Sequence, residues 1–540
     1  MNRDKPSPGG LSPSSTILRL YMSLSEQAIF EQIKTSCSSE GTFLYAGKLL
    51  DRAYRLYPDN LALITPQRTL TYKQLYFRAL LMSRKLIDLG VGKHDRVMLF
   101  YENSIEFYVA YFGIWQTGAV CVPTNTFLHE RELEFVVNDA QPKVIIASAT
   151  LKDQVVNLNI SVPMLSQEDF DWTTPDSETV SAEVLGVTLQ ELGTDDLCAL
   201  LYTSGTTGTP KGVMLSSKNI MANMVQCFTR FRAQKLDQHE RFFGVLPLFH
   251  VFAQNVCLLL PAFIGCSVIL VQKIDRKLIL EGLRLKPTVF LGVPPLFGLL
   301  CLMRNAPLDS VKFFISGADM LPDKIRAAFS IIYGRKICAG YGLSEAAPVV
   351  AVDLENKAQA TYVVGKPLAG VTCSIRDDNG NQLPSGSIGN LWVKGDNVML
   401  GYYNAPDATA QVLRDGWLVT GDLGSIDMQG NLAIRGRTKD IIIHKGFNIY
   451  PAEIENVLMM HPTVFKAAVI GQEEDMSGQV PVAFVAVKQH DPQLEASLRK
   501  LCSNNLATYK VPRKIICLDD LPMNATGKID KKQLNKTTMP

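Results

Sequence analysis

The stretch Leu201–Lys211 reads LYTSGTTGTPK, and Gly212 follows it. Every residue from Thr203 to Thr209 is Gly, Ser or Thr. Flexibility alone does not call for so many hydroxyls beside a Pro and a Lys. A loop that follows a strand and leads into a helix can turn its backbone N–H groups on a phosphate, and hydroxyls and a lysine strengthen that cradle. The Walker A spacing is absent. That motif needs Lys directly after the second Gly and then Ser or Thr, whereas Gly208 is followed by Thr209, Pro210, Lys211 and Gly212. Taken alone, the stretch is either a polar turn or a phosphate loop of another kind.

Its neighbourhood is built from alternating strands and helices. LCALLYTS is a strand running into the loop, and KNIMANMVQCFTRF beyond it has helical spacing. RFFGVLPL, CSVILV, TVFLGV, VKFFISG and KICAGYG are further short apolar runs, each ending in Gly, Pro or a polar turn. Upstream, TYKQLYFRALLMSRKLIDLG and SIEFYVAYFGIWQTG predict helices, with RVMLFY, AVCVPTN and PKVIIAS as strands. This predicts an α/β fold of parallel sheets layered with helices, with ligands at the C-terminal ends of the strands.

From about Val371 the pattern changes. CSIRDDNGNQLPSGSIGNLWVKG carries Asn-Gly and Ser-Gly hairpin signals and predicts a β subdomain over about 371–436. After LAIRGRTKDIIIHKG comes a helix opening on Pro451, then strands FKAAVIG and VPVAFVAVK and a helix LEASLRKLCSNNL. The expected organisation is a partly disordered extension over 1–45, a large domain over 46–436, and a smaller α+β domain over 437–540.

The bulk properties narrow the function. A chain of 540 residues needs more than one core. Lys plus Arg number 54 against 52 Asp plus Glu, a net charge of +2, which gives no footprint for nucleic acid. The 11 Cys are dispersed without C-x-x-C or metal-ligand spacing, the pattern of reduced thiols in a cytoplasm. The N-terminal stretch lacks the apolar core of a signal peptide. The most apolar run, Val256–Val271, is shorter than a membrane span and is broken by Pro261 and Gly265, so buried core is expected.

Five motifs in fixed order make the reading specific. YTSGTTGTPKG resembles the signature of the adenylate-forming superfamily: acyl- and aryl-CoA synthetases, peptide-synthetase adenylation domains and luciferases. YGLSEAAP (Tyr341–Pro348), GWLVTGDLG (Gly416–Gly424), GRTKDIIIHKGFNIYPAEIE and LPMNATGKIDKK (Leu521–Lys532) resemble its later motifs. PLFHVFAQ (Pro247–Gln254) and FLGVPPLFGLL (Phe290–Leu300) are similar to its acyl-pocket segments, and SGAD (Ser316–Asp319) to its adenine border.

The resemblance implies a role for each matching residue. Thr203, Ser204, Gly205, Thr206, Thr207, Gly208 and Lys211 would hold the β- and γ-phosphates of ATP. Tyr341 would pack on adenine, bordered by Gly317, Ala318, Gly342 and Ser344, the last standing where the family usually has Thr. Glu345, with Thr206, would hold Mg²⁺. Asp422 would bond the ribose hydroxyls and Arg437 ribose or phosphate. Lys439 would be the hinge of a mobile C-terminal domain, and Gly446 would line the pantetheine path of coenzyme A. His250 matches a pocket histidine, and Lys528 a catalytic lysine between carboxylate and phosphate.

The activity so implied is ATP-dependent conversion of a medium- to long-chain fatty acid to acyl-AMP and then to acyl-CoA, with release of AMP and pyrophosphate. An aryl-CoA ligase, or a fatty acyl-AMP ligase loading an acyl carrier protein, are alternatives within the superfamily. A luciferase-like oxygenase shares the motifs. A dead nucleotide-binding protein is disfavoured by Lys211, Glu345, Asp422, Arg437 and Lys528 together. The expected location is cytoplasmic, with peripheral membrane contact compatible with the sequence.

Overall fold

The computed structural model describes residues 25–39, 45–170, 186–187, 193–203, 210–354, 362–444, 447–474, 478–488, 491–523 and 528–537. The fold is the layered α/β arrangement that the sequence predicts. Its first sheet runs parallel through strands Ile337–Gly342, Phe313–Ser316, Val289–Gly292, Arg241–Gly244, Ser267–Leu270 and Leu61–Ile64, with antiparallel Val349–Val352 and Thr69–Thr71 at its edges. A second sheet orders Gly401–Tyr402, Lys211–Ser216, Leu197–Thr203, Val120–Pro123, Arg96–Phe100, Val144–Ala147 and Met164–Leu165.

One apolar core takes residues from both sheets and from the helices between them. Helix Ile105–Gln116 is buried along its whole length. Its N-terminus is closed by Ser104, whose hydroxyl accepts from Phe107 N at 3.1 Å. Burial on every side leaves its polar tips needing partners inside the protein. Tyr108 Oη donates to Cys257 O at 2.6 Å, and Trp115 Nε1 to Cys198 O at 2.8 Å. The segment from Val256 to Ile264 is buried core, as its apolar run predicts. Helix Tyr72–Asp88 begins at a capping box between Thr71 and Gln74.

A third sheet is antiparallel and contains Val363–Gly365, Leu432–Arg437, Trp417–Ile426, Gly389–Gly395 and Val371–Arg376. The Asn379-Gly380 turn predicted from sequence joins its last two strands, with Gly380 at φ +86°. After a single turn of 3-10 helix, Thr438–Asp440, the chain enters a fourth sheet made only of C-terminal strands. This smaller unit has its own apolar core around Ile454, Leu458, Val485 and Leu498. It docks on the larger one through Lys324 Nζ, which donates to His461 O at 3.0 Å and Val464 O at 2.9 Å.

One local expectation is corrected. The loop of the opening stretch does not lead into a helix. It joins two antiparallel strands, with Thr203 in register with Lys211, and helix Ser217–Ala233 starts only after strand Lys211–Ser216. The N-terminus of that helix is closed by Ser216, which accepts from Asn219 N at 3.1 Å. The N-terminus of that helix therefore does not adjoin the loop, from which it is separated by strand Lys211–Ser216.

Candidate active site

The ends of the strands bring several candidate residues together. Tyr341 lies near the end of strand Ile337–Gly342, and its hydroxyl donates to Asp422 Oδ2 at 2.5 Å. Asp422 sits in the long strand Trp417–Ile426, opposite Arg437 in the adjacent strand. Arg437 Nε meets Asp422 Oδ1 at 2.9 Å. Three motifs that are far apart in sequence thus meet on one carboxylate.

That carboxylate is 4% exposed. Burial pushes its pKa up, against the opposing pull of the Arg437 charge and the Tyr341 hydrogen bond. Arg437 is held charged chiefly by Asp422, and burial works the other way. Burial, followed by the Asp422 charge, raises the Tyr341 hydroxyl far above its ordinary range, so it stays a donor.

Glu345 lies in a short 3-10 turn, Ser344–Ala346. Its Oε1 accepts from Tyr402 Oη at 2.8 Å. Lys211 Nζ stands 5.2 Å from the centre of the Tyr402 ring. Tyr402 therefore joins the candidate carboxylate to the candidate lysine. Sequence reasoning missed it, because its place depends on a two-residue strand pairing in which Tyr402 faces Val213. Thr203 Oγ1 reaches Lys211 O at 3.5 Å across the root of the loop. Residues 204–209, and with them Ser204, Gly205, Thr206, Thr207 and Gly208, lie outside the described residues, as does Gly446.

The glycines and Ala318 have steric reasons. A Cβ on Gly317 would stand 2.9 Å from the Phe252 ring, and one on Gly342 would stand 2.2 Å from Pro348 O. Ala318 takes φ +68°, a left-handed conformation in which a glycine would be unstrained.

His250 caps the short helix Val251–Ala253, with Nδ1 accepting from Phe252 N at 3.2 Å. Burial, aided by the nearby Lys528 charge, lowers its pKa to about 4. It is therefore neutral at pH 7, and with Nδ1 accepting, the proton sits on Nε2. Because the folded pKa lies below the ordinary 6.5, acid favours the unfolded chain. The expected result is a loss of stability as pH falls from 6.5 towards 4. His250→Gln should remove that part of the slope in urea titrations, and an unchanged slope would show that His250 is not buried neutral.

Lys528 reaches the same site from the C-terminal unit. Its charge is felt by both His250 and Asp422. Lys439, in the 3-10 turn between the units, has its pKa lowered mainly by burial. Glu345 is the candidate carboxylate for a metal ion. Among the described residues, no group of three or more His, Cys, Asp or Glu is arranged to hold one. A single carboxylate beside a loop that bound phosphate would suit Mg²⁺, which keeps waters and shares phosphate oxygens.

Comparison with known proteins agrees with this geometry. The AMP-binding enzyme family model matches residues 50–403, and the AMP-binding enzyme C-terminal domain matches residues 453–528. A long-chain-fatty-acid–CoA ligase of Bacillus subtilis (strain 168) is 33% identical over 527 residues, covering 90% of this chain and 93% of that protein. The crystal structure of ATP-bound MatB from Rhodopseudomonas palustris superposes with a TM-score of 0.82 at 31% identity, covering 91% of this chain and 98% of that one. The o-succinylbenzoate coenzyme A synthetase MenE of Bacillus subtilis, in complex with ATP and magnesium ion, gives a TM-score of 0.79 at 28% identity, covering 90% and 99%. The chain belongs to the AMP-binding, adenylate-forming enzyme family and is an acid–thiol ligase.

Proposed function

We propose that this ligase activates a medium- to long-chain fatty acid with ATP through an acyl-AMP intermediate and passes it to coenzyme A. The observation that carries the choice of acid is the composition of the two segments that resemble the family's acyl-pocket segments. Segments 247–254 and 290–300 contain no carboxylate, lysine or arginine, and their one titratable group, His250, is neutral. An aliphatic chain needs an uncharged wall, whereas an amino acid's ammonium group needs an acidic partner. The name of the Bacillus subtilis ligase points the same way. The similarity to MenE favours a second reading, an aryl-CoA ligase. Loading of an acyl carrier protein in place of coenzyme A is a third.

A carboxylate and a triphosphate repel each other, so the protein's task is largely to place them and offset their charge. Lys211 and the loop rooted at Thr203 would hold the β- and γ-phosphates. Tyr341 would lie against adenine. Asp422 would exchange part of its present bonding for the ribose hydroxyls, with Arg437 holding it in place. His250 Nε2–H would donate to an oxygen of the acid. Lys528 would lie between carboxylate and α-phosphate as the new bond forms and pyrophosphate leaves. Glu345 would hold Mg²⁺, which neutralises phosphate charge when bound. For thioester formation the C-terminal unit would turn about Lys439, withdrawing Lys528 and bringing the segment around Gly446 to the site.

The ten cysteines from Cys121 to Cys517 are free thiols, which fits a reducing cytoplasm. Among the described residues, no helix is long and apolar enough to cross a membrane.

The test is pyrophosphate release across straight-chain acids from two to eighteen carbons and a set of benzoates and cinnamates, with and without coenzyme A. Fatty acids of eight carbons or more should turn over best, and only with the thiol present. Turnover confined to aromatic acids would replace this reading with the second. Release independent of coenzyme A would replace it with the third.

A further inference from the structure

The backbone that follows Glu345 is irregular, and three buried amides grip it. Asn397 Nδ2 donates to Ala346 O at 2.7 Å, and Asn255 Nδ2 to Ala347 O at 3.1 Å. Asn223 takes both sides of Val349: its Nδ2 donates to the carbonyl at 2.8 Å, and its Oδ1 accepts from the N–H at 3.0 Å. The amides also bond one another. Asn255 Nδ2 donates to Asn223 Oδ1 at 2.8 Å. Gln226 links the other pair, with Oε1 accepting from Asn223 Nδ2 at 2.9 Å and Nε2 donating to Asn397 Oδ1 at 3.4 Å.

None of these four side chains is more than 1% exposed. Asn223 spends both N–H donors and accepts two bonds on its oxygen, so its orientation is fixed by the network. These are donors and acceptors aimed at successive peptide groups of one short segment, from three separate parts of the chain. The segment begins at Glu345, whose carboxylate is bonded by Tyr402, the ring that also meets Lys211. Its own start is also held, because Met399 N donates to Glu345 O at 2.9 Å. A hydrophobic core would cover these residues at lower desolvation cost, but it would not fix the height and direction of the turn that presents Glu345.

We propose that Asn223, Asn255 and Asn397 are positioning residues that set Glu345 for the metal ion of the bound nucleotide. The inference rests on the reading of Glu345 as the Mg²⁺ carboxylate. Each amide acts through backbone, not by touching nucleotide.

The test is calorimetric titration of the full-length protein with MgATP and, separately, with AMP in the absence of divalent metal. Asn223→Asp keeps the shape but sets a carboxylate oxygen against Val349 O. Asn397→Ser removes one bond to Ala346 O. Both variants should bind MgATP about 10–100-fold more weakly, as loss of a metal ligand's supporting partner does. Binding of AMP, which does not need Glu345, should stay within about threefold. Equal weakening of both ligands would mark a merely structural role and overturn the proposal, as would unchanged MgATP binding. If Asn223→Asp does not fold, Asn397→Ser decides alone. The titrations need no acid, so failure of every fatty and aromatic acid to turn over would reject the proposed function and leave this result readable.

Discussion

Lys528→Ala should lower the rate of acyl-AMP formation by a factor of about 10²–10³. Thioester formation from supplied acyl-AMP should stay near the parent rate. The reason is positional. Lys528 comes from the small C-terminal unit, and its charge already reaches His250 and Asp422 in the larger one. In that place it can offset the repulsion between a carboxylate and the α-phosphate, which exists only in the first half-reaction. Pyrophosphate exchange measures that half, and acyl-CoA formation from synthetic acyl-AMP measures the other. Equal loss in both would reject the role. Lys439→Pro supplies the opposite case. A fixed φ in the turn Thr438–Asp440 should spare the exchange and slow thioester formation, and unchanged thioester formation would remove the hinge assignment.

Asp422→Asn should separate function from stability. Burial raises the pKa of Asp422 against the pull of the Arg437 charge. Its folded pKa lies above its unfolded one, so the native state holds the proton more tightly. Stability is therefore lost as pH rises from the ordinary carboxylate range through the folded value. An amide has no such cost and still accepts from Tyr341. The variant should melt at the parent temperature or above it. Nucleotide binding should suffer, because one neutral oxygen replaces the carboxylate that, in the proposed role, accepts two ribose hydroxyls. Loss of charge-assisted bonds worth about 1.5–3 kcal/mol each makes the expected rise in ATP KM about 10²-fold. A fall in melting temperature of many degrees would show instead that the Asp422–Arg437 pair stabilises the fold.

The layered fold was legible because its signals are local. Helix Tyr72–Asp88 carries its periodicity and its Thr71–Gln74 capping box within one stretch. The buried strands read as short apolar runs. The hairpin after Thr203 was not legible. Lys211–Ser216 is a brief apolar run that reads equally well as the approach to the helix behind it, and only its register against Leu197–Thr203 reveals a strand. Asp422, Arg437 and Tyr341 could be named through resemblance, but nothing local says that they share one set of oxygens. Tyr402 and the amides Asn223, Asn255 and Asn397 left no trace in the pattern. Their partners lie 57 residues away for Tyr402, and 126 and 92 residues away for Asn223 and Asn255. Polar residues on a helix ordinarily read as its solvent face.

The docking of the C-terminal unit has a consequence for how the chain can change over generations. Lys324 grips it by the peptide oxygens of residues 461 and 464, not by their side chains. Every amino acid supplies such an oxygen. Drift at those two positions leaves the grip intact, while the lysine itself has no such freedom. Part of the partnership between the two units thus rests on a handle that side-chain replacement does not erase, beside the side-chain bond from Asn456 to Tyr362.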